Sequence, residues 1–248
     1  MLSLHGLTKR FAVGDDVITA VDGLSLEVPR GCVYGLLGAN GAGKTTTLRM
    51  ILGLLKPDQG FARVGEHRTD QDPVAVKASL GFVSAGDGVY PWLTVREMLQ
   101  YFGDLYSVPL DQTQNRIDEL AALLGITSLL DRRAGLLSTG QRQRVILVRG
   151  LIHDPPVMLM DEPTRGLDVV GVKTIFDYVD TLRGLGKSVV LCTHRLDEAQ
   201  RLCDQFGLLD DGHLAHTGTM QQLRDATGRS DLVDIFFDKI GSAAAATA

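Results

Sequence analysis

Hydrophobic and polar positions change their spacing several times along the 248 residues of this chain. Near the start, apolar residues recur at short intervals between turn residues, which predicts strands. These runs are Leu2–Leu7, Val17–Val21 and Leu24–Val28. The continuous apolar run Cys32–Leu37 predicts a buried strand. A glycine-rich loop follows it, and we predict a helix over Thr45–Leu55.

The pattern becomes helical in the middle of the chain. Thr94 and Glu97 have the spacing of a capping box, which marks the start of a helix. The apolar residues that follow recur at helical spacing, and Asn115–Leu124 forms a second amphipathic stretch. We therefore predict an all-helical insert at about residues 91–137.

Behind this insert, apolar runs and helical patterns alternate. We predict helices at residues 142–152, 172–182 and 197–202, strands at 157–160 and 189–192, and a hairpin at 206–217. Strands that alternate with helices form a largely parallel sheet with helices on both faces. The sequence thus predicts an α/β fold in a single domain, residues 1–240, with a low-complexity tail at 241–248.

The glycine-rich loop carries the strongest chemical signal. It matches the pattern G-x-x-x-x-G-K-[ST] between a strand and a helix, with the residues Gly38, Ala39, Asn40, Gly41, Ala42, Gly43, Lys44 and Thr45. Such a loop wraps its N–H groups around phosphates, and the helix N-terminus points at the same anion. We expect Lys44 to neutralise the β- and γ-phosphates, Thr45 to bind Mg²⁺, and Thr46 to complete the nucleotide contact. The structural alternative is a glycine-rich turn with a chance lysine.

Two carboxylates end the predicted strand at 157–160. Asp161 and Glu162 would lie at the carboxyl edge of the sheet, where open α/β sheets bind ligands. Asp161 suits the Mg²⁺ shell, and Glu162 suits a base that orients or deprotonates the attacking water. A solvated strand end is the alternative. Together with the loop, these carboxylates indicate a P-loop NTPase.

The segment Leu137–Gln141 (Leu-Ser-Thr-Gly-Gln) opens a predicted helix shortly before these carboxylates. With the order of the other motifs, it resembles the ATP-binding cassette (ABC) family, whose signature reads Leu-Ser-Gly-Gly-Gln. The resemblance extends over residues 2–217. It implies a mostly parallel RecA-like core sheet, an N-terminal antiparallel β subdomain and an inserted α-helical subdomain. It also implies that ATP and Mg²⁺ are the cofactors.

In this family the signature of one subunit contacts the γ-phosphate that the phosphate loop of another subunit holds. The resemblance therefore implies that Ser138, Gly140 and Gln141 bind nucleotide across a head-to-tail, ATP-dependent homodimer. A serine at a helix N-terminus is physically suited to an anion. In isolation, the same serine is explained equally well as a helix N-cap.

Three further positions match the family one by one. Phe11 matches the aromatic residue that stacks on adenine, and Asp168 lies in the D-loop (Thr164–Asp168), which runs along the dimer seam. His194 matches the switch histidine at the γ-phosphate, so the implied catalytic residues are Glu162, His194 and Lys44. The alternatives are an ordinary apolar contact for Phe11, a helix N-cap for Asp168 and a structural role for the histidine.

Two positions depart from the family. Thr139 stands where the signature has glycine, and Ala85 stands where the family has a glutamine that reaches Mg²⁺ and water. Ser84 or Asp87 would have to replace that glutamine through water, or a backbone carbonyl would take its place. The residue that moves with the transmembrane partner in the family is therefore missing at this position.

The segment Tyr90–Thr94 is aromatic and contains the only tryptophan, Trp92. It suits a groove that receives a transmembrane partner's helix, because exposed aromatic residues often anchor interfaces; burial of Trp92 in the core is the alternative. The arginines at 132, 133, 142 and 144 are interpreted as solvated surface.

Composition narrows the function classes. The chain has 25 basic and 30 acidic residues, a formal net charge of −5, which disfavours a generally basic nucleic-acid binder. Three scattered cysteines favour reduced thiols in the cytosol, and no signal peptide or membrane-spanning run is expected.

The resemblance implies the ATP-hydrolysing subunit of an exporter-type ABC transporter, most similar to the NatA-like, sodium-efflux group. Its expected partner is an integral membrane permease on another chain, and its expected location is the cytoplasmic face of the membrane. The alternatives are a soluble ABC ATPase outside transport and a non-catalytic nucleotide sensor. Soluble ABC ATPases outside transport carry long coiled coils or zinc modules between the motifs. Here the 117 residues from Lys44 to Asp161 contain no heptad run or zinc module, so this alternative lacks support.

Overall fold

The computed structural model describes residues 1–84 and 88–238, which form two sheets and a set of helices. The strands are β1 Leu2–Val13, β2 Asp16–Val28, β3 Val33–Leu37, β4 Gln59–Val64, β5 His67–Arg68, β6 Leu80–Ser84, β7 Val157–Asp161, β8 Ser188–Thr193, β9 Gln205–Asp210 and β10 His213–Thr219. The helices are α1 Lys44–Ile51, α2 Pro73–Ala78, α3 Val95–Leu105, α4 Leu110–Leu123, α5 Thr139–Leu151, α6 Val169–Gly184, α7 Leu196–Leu202 and α8 Met220–Thr227. Residues 232–238 are also helical.

The larger sheet positions the chemistry. Its strand order is β10-β9-β3-β8-β7-β6, and all neighbouring pairs are parallel except the β9–β10 hairpin. In this register Leu37 lies opposite Thr193, and Asp161 lies opposite Cys192. The carboxyl ends of β3, β7 and β8 therefore meet at one edge, as the alternation of strands and helices predicts.

The smaller sheet is antiparallel, with strand order β2-β1-β4-β5. Its buried leucines, among them Leu4 and Leu26, pack with Leu48 and Ile51 of α1 in one apolar cluster. This contact holds the smaller sheet against the helix that follows the phosphate loop.

Helices α3, α4 and α5 pack through a second apolar cluster. Thr94 and Glu97 form the predicted capping box at the start of α3. Backbone hydrogen bonds join the segment before α3 to the segment before α5: Val95 N–H donates to Arg132, and Ala134 N–H donates to Leu93.

The structure confirms the fold class and extends several predicted elements. The helix expected at Asn115–Leu124 begins earlier, at Leu110, and the one expected at Thr45–Leu55 ends at Ile51. The three N-terminal strand runs belong to two long strands. The elements between Gln59 and Ser84, the helix α8 and the helix at 232–238 were not predicted. Ala85, Asp87 and the tail 241–248 lie outside the described residues.

Candidate functional site

The phosphate loop (Gly38–Thr45) connects β3 with α1, as the motif requires. Gly43 has φ +103°, and a Cβ there would collide with the carbonyl oxygen of Ala20. A Cβ at Gly38 would likewise collide with the carbonyl oxygen of Leu209. Glycine at these two positions therefore lets the loop fold tightly at the N-terminus of α1.

The Lys44 side chain lies inside this loop and is only 6% exposed. Its ammonium donates to the carbonyl oxygens of Gly38 at 2.7 Å and Ala39 at 2.9 Å. It also lies 4.0 Å from Oε1 of Glu162. The loop thus holds one positive charge next to the two carboxylates at the end of β7.

Asp161 and Thr45 form a pair that suits a hard cation. The Thr45 hydroxyl donates to Oδ2 of Asp161 at 3.1 Å, while Oδ1 is buried and has no hydrogen-bond partner. Burial raises the pKa of Asp161; the charge of Glu162 raises it further, and the Thr45 hydrogen bond lowers it. A dication would satisfy Oδ1 and favour the charged carboxylate, so the two residues fit Mg²⁺.

Glu162 has a left-handed backbone, with φ +48°. A non-glycine residue in such a conformation costs about 1–3 kcal/mol and persists where its surroundings enforce it. Its N–H donates to Cys192 at 2.9 Å. Its carboxylate accepts from His194 Nδ1 at 2.8 Å, from the His194 N–H at 3.1 Å and from the Thr193 hydroxyl at 3.3 Å. Since a carboxylate only accepts, the imidazole proton lies on Nδ1 in this arrangement.

The phosphate loop, Asp161 and Glu162 border a cavity of about 400 Å³ at the edge of the sheet. It is lined by Asn40, Gly41, Gly43, Lys44, Thr45, Thr46, Ser84, Asp161, Glu162 and Arg165. The structure therefore brings together the phosphate loop and both strand-end carboxylates. Arg165 was missed by the sequence interpretation; its N–H donates to the carbonyl of Glu162 at 3.0 Å, in a turn that follows the strand.

The signature segment (Leu137–Gln141) is not among the residues that line this cavity. Ser138 is the exposed N-cap of α5, in a capping box with Gln141. Gly140 and Asp168 line a separate cavity of about 220 Å³ between the signature segment and the D-loop. Asp168 also caps α6, accepting from Gly171 N–H at 2.8 Å. The capping roles are therefore present, and nucleotide contact by these residues stays a prediction.

Phe11 lies on β1 opposite Ile18 of β2, with 38% of the residue exposed. The ammonium of Lys9 lies 5.6 Å from its ring centroid. An exposed ring on this sheet is available to stack on a base. Stacking on adenine stays a prediction.

A group of neighbouring rings, the aromatic surface (Tyr90, Trp92, Tyr101 and Phe102), is formed by the segment before α3 and by α3 itself. The centroids of neighbouring rings are 5.5–6.3 Å apart. Trp92 is 69% exposed, so the alternative that places it in the core is wrong. The Arg149 guanidinium lies 5.1 Å from the Phe102 centroid and joins this surface to α5.

Across residues 1–84 and 88–238, no helix has both the length and the apolar character needed to cross a membrane.

Comparison with known proteins gives a consistent result. Residues 21–165 match the family model described as ABC transporter. The ABC transporter ATP-binding protein NatA of Bacillus subtilis (strain 168) is 37% identical over 97% of this chain and 98% of its own length. The Nod factor export ATP-binding protein I of Ralstonia nicotianae is 38% identical over 97% of this chain and 74% of its own length.

A solved structure shares the fold as well. It is the dimeric structure of a post-hydrolysis state of an ATP-binding cassette bound to ADP and Pi, with a TM-score of 0.78 and 26% identity. The match covers 88% of this chain and 98% of that one. The chain described here therefore belongs to the ABC transporter family, as an ATP-binding and ATP-hydrolysing subunit.

Proposed function

We propose that this chain binds MgATP, pairs head-to-tail with a second copy and uses ATP hydrolysis to power export through a separate membrane-spanning permease. One observation carries the pairing: the exposed Ser138 lies outside the cavity that Lys44 and Glu162 line. Each copy thus holds half of the residues that the family uses. A second copy would supply the other half. The ATPase domain is proposed to span residues 1–240, with its helical insert at about 91–137.

Binding in this proposal depends on charge. The triphosphate of ATP lies in the phosphate loop, where Lys44 and the N–H groups at the start of α1 offset its negative charge. Thr45 and Asp161 would hold Mg²⁺, which would offset charge on the phosphate oxygens. Phe11 stacks on the adenine ring.

Hydrolysis in this proposal uses the carboxylate of Glu162 to orient the attacking water and accept its proton. The bond from His194 Nδ1–H at 2.8 Å fixes that carboxylate. A contact with the γ-phosphate would use Nε2–H of an imidazole that carries a second proton, since an unprotonated Nε2 only accepts. Ser138 of the second copy would close the other side of the nucleotide. Cleavage frees the γ-phosphate as inorganic phosphate. Its departure removes the anion that both copies hold, so the two copies then separate.

The aromatic surface is the proposed docking site for the permease, and it would place the chain on the cytoplasmic face of the membrane. Exposed tryptophan and tyrosine are the residue types that anchor protein interfaces. Export is supported by the similarity to a Nod factor export protein and to NatA.

Replacing Trp92 with Ala is expected to lower co-purification with the permease at least about tenfold, because a buried interface tryptophan contributes 2 kcal/mol or more. The test uses co-expression with a candidate permease, chosen as a multi-span membrane protein encoded by a neighbouring reading frame. Leu54→Ala, at a 67% exposed leucine behind α1, is the matched control. Equal recovery of all three forms would contradict docking at this surface.

Replacing Phe11 with Ala is expected to weaken ATP binding by about 5- to 150-fold, since stacking on a base contributes about 1–3 kcal/mol. Titration of the purified chain with ATP measures this change. Phe237→Ala removes another exposed ring, 67% exposed, and should leave the affinity unchanged. An unchanged affinity in the Phe11 variant would remove this residue from the adenine site.

The proposal as a whole is tested by ATPase turnover of the chain alone and with that permease. It predicts hydrolysis that needs Mg²⁺ and that changes when the permease is present. An ATP turnover rate that does not change when the permease is added would favour a soluble ATPase outside transport.

A further inference from the structure

Glu198 is the only carboxylate among the described residues that is buried, with 4% exposure. It lies on α7, directly behind the segment that carries His194. It does not line the cavity at the phosphate loop. A buried charge of this kind is costly unless it is paired and hydrogen-bonded, so its partners indicate its role.

Two groups contact this carboxylate: a hydrogen bond reaches Oε2, and an ion pair reaches Oε1, which has no hydrogen-bond partner. The hydroxyl of Thr164, itself only 2% exposed, donates to Oε2 at 2.6 Å. The guanidinium of Arg195 lies 2.7 Å from Oε1. The short bond from Thr164 is a charge-assisted hydrogen bond, which is about twice as strong as a neutral one.

The partners belong to the two segments that meet at the catalytic carboxylate. Thr164 opens the D-loop two residues after Glu162, and Arg195 directly follows His194. These segments already touch at Glu162, through the bonds from His194 and Thr193 to its carboxylate and from its N–H to Cys192. Glu198 adds a second connection behind the first, away from the nucleotide cavity.

The D-loop continues from Thr164 toward the signature segment. Leu167 N–H donates to the carbonyl of Thr164 at 3.2 Å, and Gly166, Leu167 and Asp168 line the cavity that they share with Gly140. The position of Thr164 therefore sets two things together: the turn that holds Glu162, and the backbone beside the face that would meet a second copy.

We propose that Glu198 is a positioning residue that, through Thr164, holds the D-loop and the His194 segment in the relative placement that hydrolysis needs. The inference rests on the proposed function, because it assigns this role for the same site. It predicts that loss of the Thr164 hydroxyl impairs turnover and spares nucleotide binding, since Thr164 and Glu198 are not among the residues that line the phosphate-loop cavity.

The test compares Thr164→Val, which removes the hydroxyl at nearly constant volume, with Thr164→Ser, which keeps it. Thr164→Val is expected to lower kcat about 10- to 100-fold, as a small misplacement of catalytic groups does, with KM and the ATP dissociation constant changed less than about twofold. Thr164→Ser is expected to restore most of kcat.

Thr113→Val is the matched control. Thr113 is also fully buried and its hydroxyl bonds a backbone carbonyl, that of Val108 at 3.3 Å, but it lies on α4 in the helical layer. The Thr113→Val variant should be less stable than the wild type but should keep the wild-type kcat. If Thr164→Val does not fold, Glu198→Gln, which keeps an acceptor for Thr164 and removes the charge, takes its place and should give a smaller fall in kcat.

Wild-type kcat in Thr164→Val, or an equal loss in Thr113→Val, would overturn the positioning role while leaving the proposed function intact. Failure of the wild-type chain to hydrolyse ATP would instead count against the proposed function. A parallel fall in ATP affinity and kcat in Thr164→Val would also overturn the inference, because it would indicate a general structural defect.

Discussion

Replacing Glu162 with Gln is expected to lower ATP turnover by at least about 100-fold while ATP binding persists. The amide cannot accept the proton of the attacking water, and general-base catalysis contributes about 10²- to 10⁴-fold. Binding should persist because the phosphate loop and Lys44 remain, and because glutamine keeps an oxygen that can accept from His194 Nδ1. Steady-state phosphate release and an ATP titration measure the two effects separately.

Glu119→Gln is the matched control for this result. It makes the same chemical change at an exposed position on α4, so its turnover should equal that of the wild type. Undiminished hydrolysis in the Glu162 variant would remove this residue from its assigned role. A loss of ATP affinity as large as the loss of turnover would show that Glu162 acts mainly in binding.

Replacing Lys44 with Ala is expected to weaken ATP binding by about 1–3 kcal/mol, or about 5- to 150-fold, through the loss of a charge-assisted contact. The effect should be large because the ammonium is buried and held by two carbonyl oxygens of the same loop. Calorimetric titration with ATP measures it. The loss should shrink with adenosine, which has no phosphate for Lys44 to contact.

Lys173→Ala is the control for this variant, since Lys173 is an exposed lysine paired with Asp177 on α6. It removes the same charge far from the loop and should leave the ATP affinity unchanged. Equal affinity of the Lys44 variant and the wild type would contradict the assignment of the phosphate loop.

The sequence predicted those parts of the site that depend on local chemistry. The sequence has a glycine-rich loop before Lys44 and two carboxylates, Asp161 and Glu162, after an apolar strand. This combination is typical of a P-loop nucleotide site. Their meeting at one edge follows from the parallel sheet, which the alternation of strands and helices indicates.

Other parts of the site depend on conformation that no residue type specifies. The left-handed backbone of Glu162 is enforced by contacts with the strand-end segment of β8, far away in sequence. The position of Arg165 at the cavity follows from the turn behind Glu162. The buried pair of Thr164 and Glu198 joins residues 34 positions apart and has no local sequence pattern.

Two of the elements missed in the fold prediction are very short. The strand β5 has two residues and α2 has six, which are too few to show a period. Asp72 does cap α2, with Pro73 in its first turn, and that start signal was available in the sequence.

The central claim is that a triphosphate joins two copies of this chain. Its most direct test is the mass in solution of the Glu162→Gln variant with ATP and Mg²⁺, measured by analytical ultracentrifugation with and without a further Ser138→Arg change. The account predicts twice the 26.8 kDa chain mass for Glu162→Gln, and a monomer that still binds ATP when Ser138 is also changed. A Glu162→Gln chain that binds ATP and stays monomeric, with the permease present as well, would contradict it.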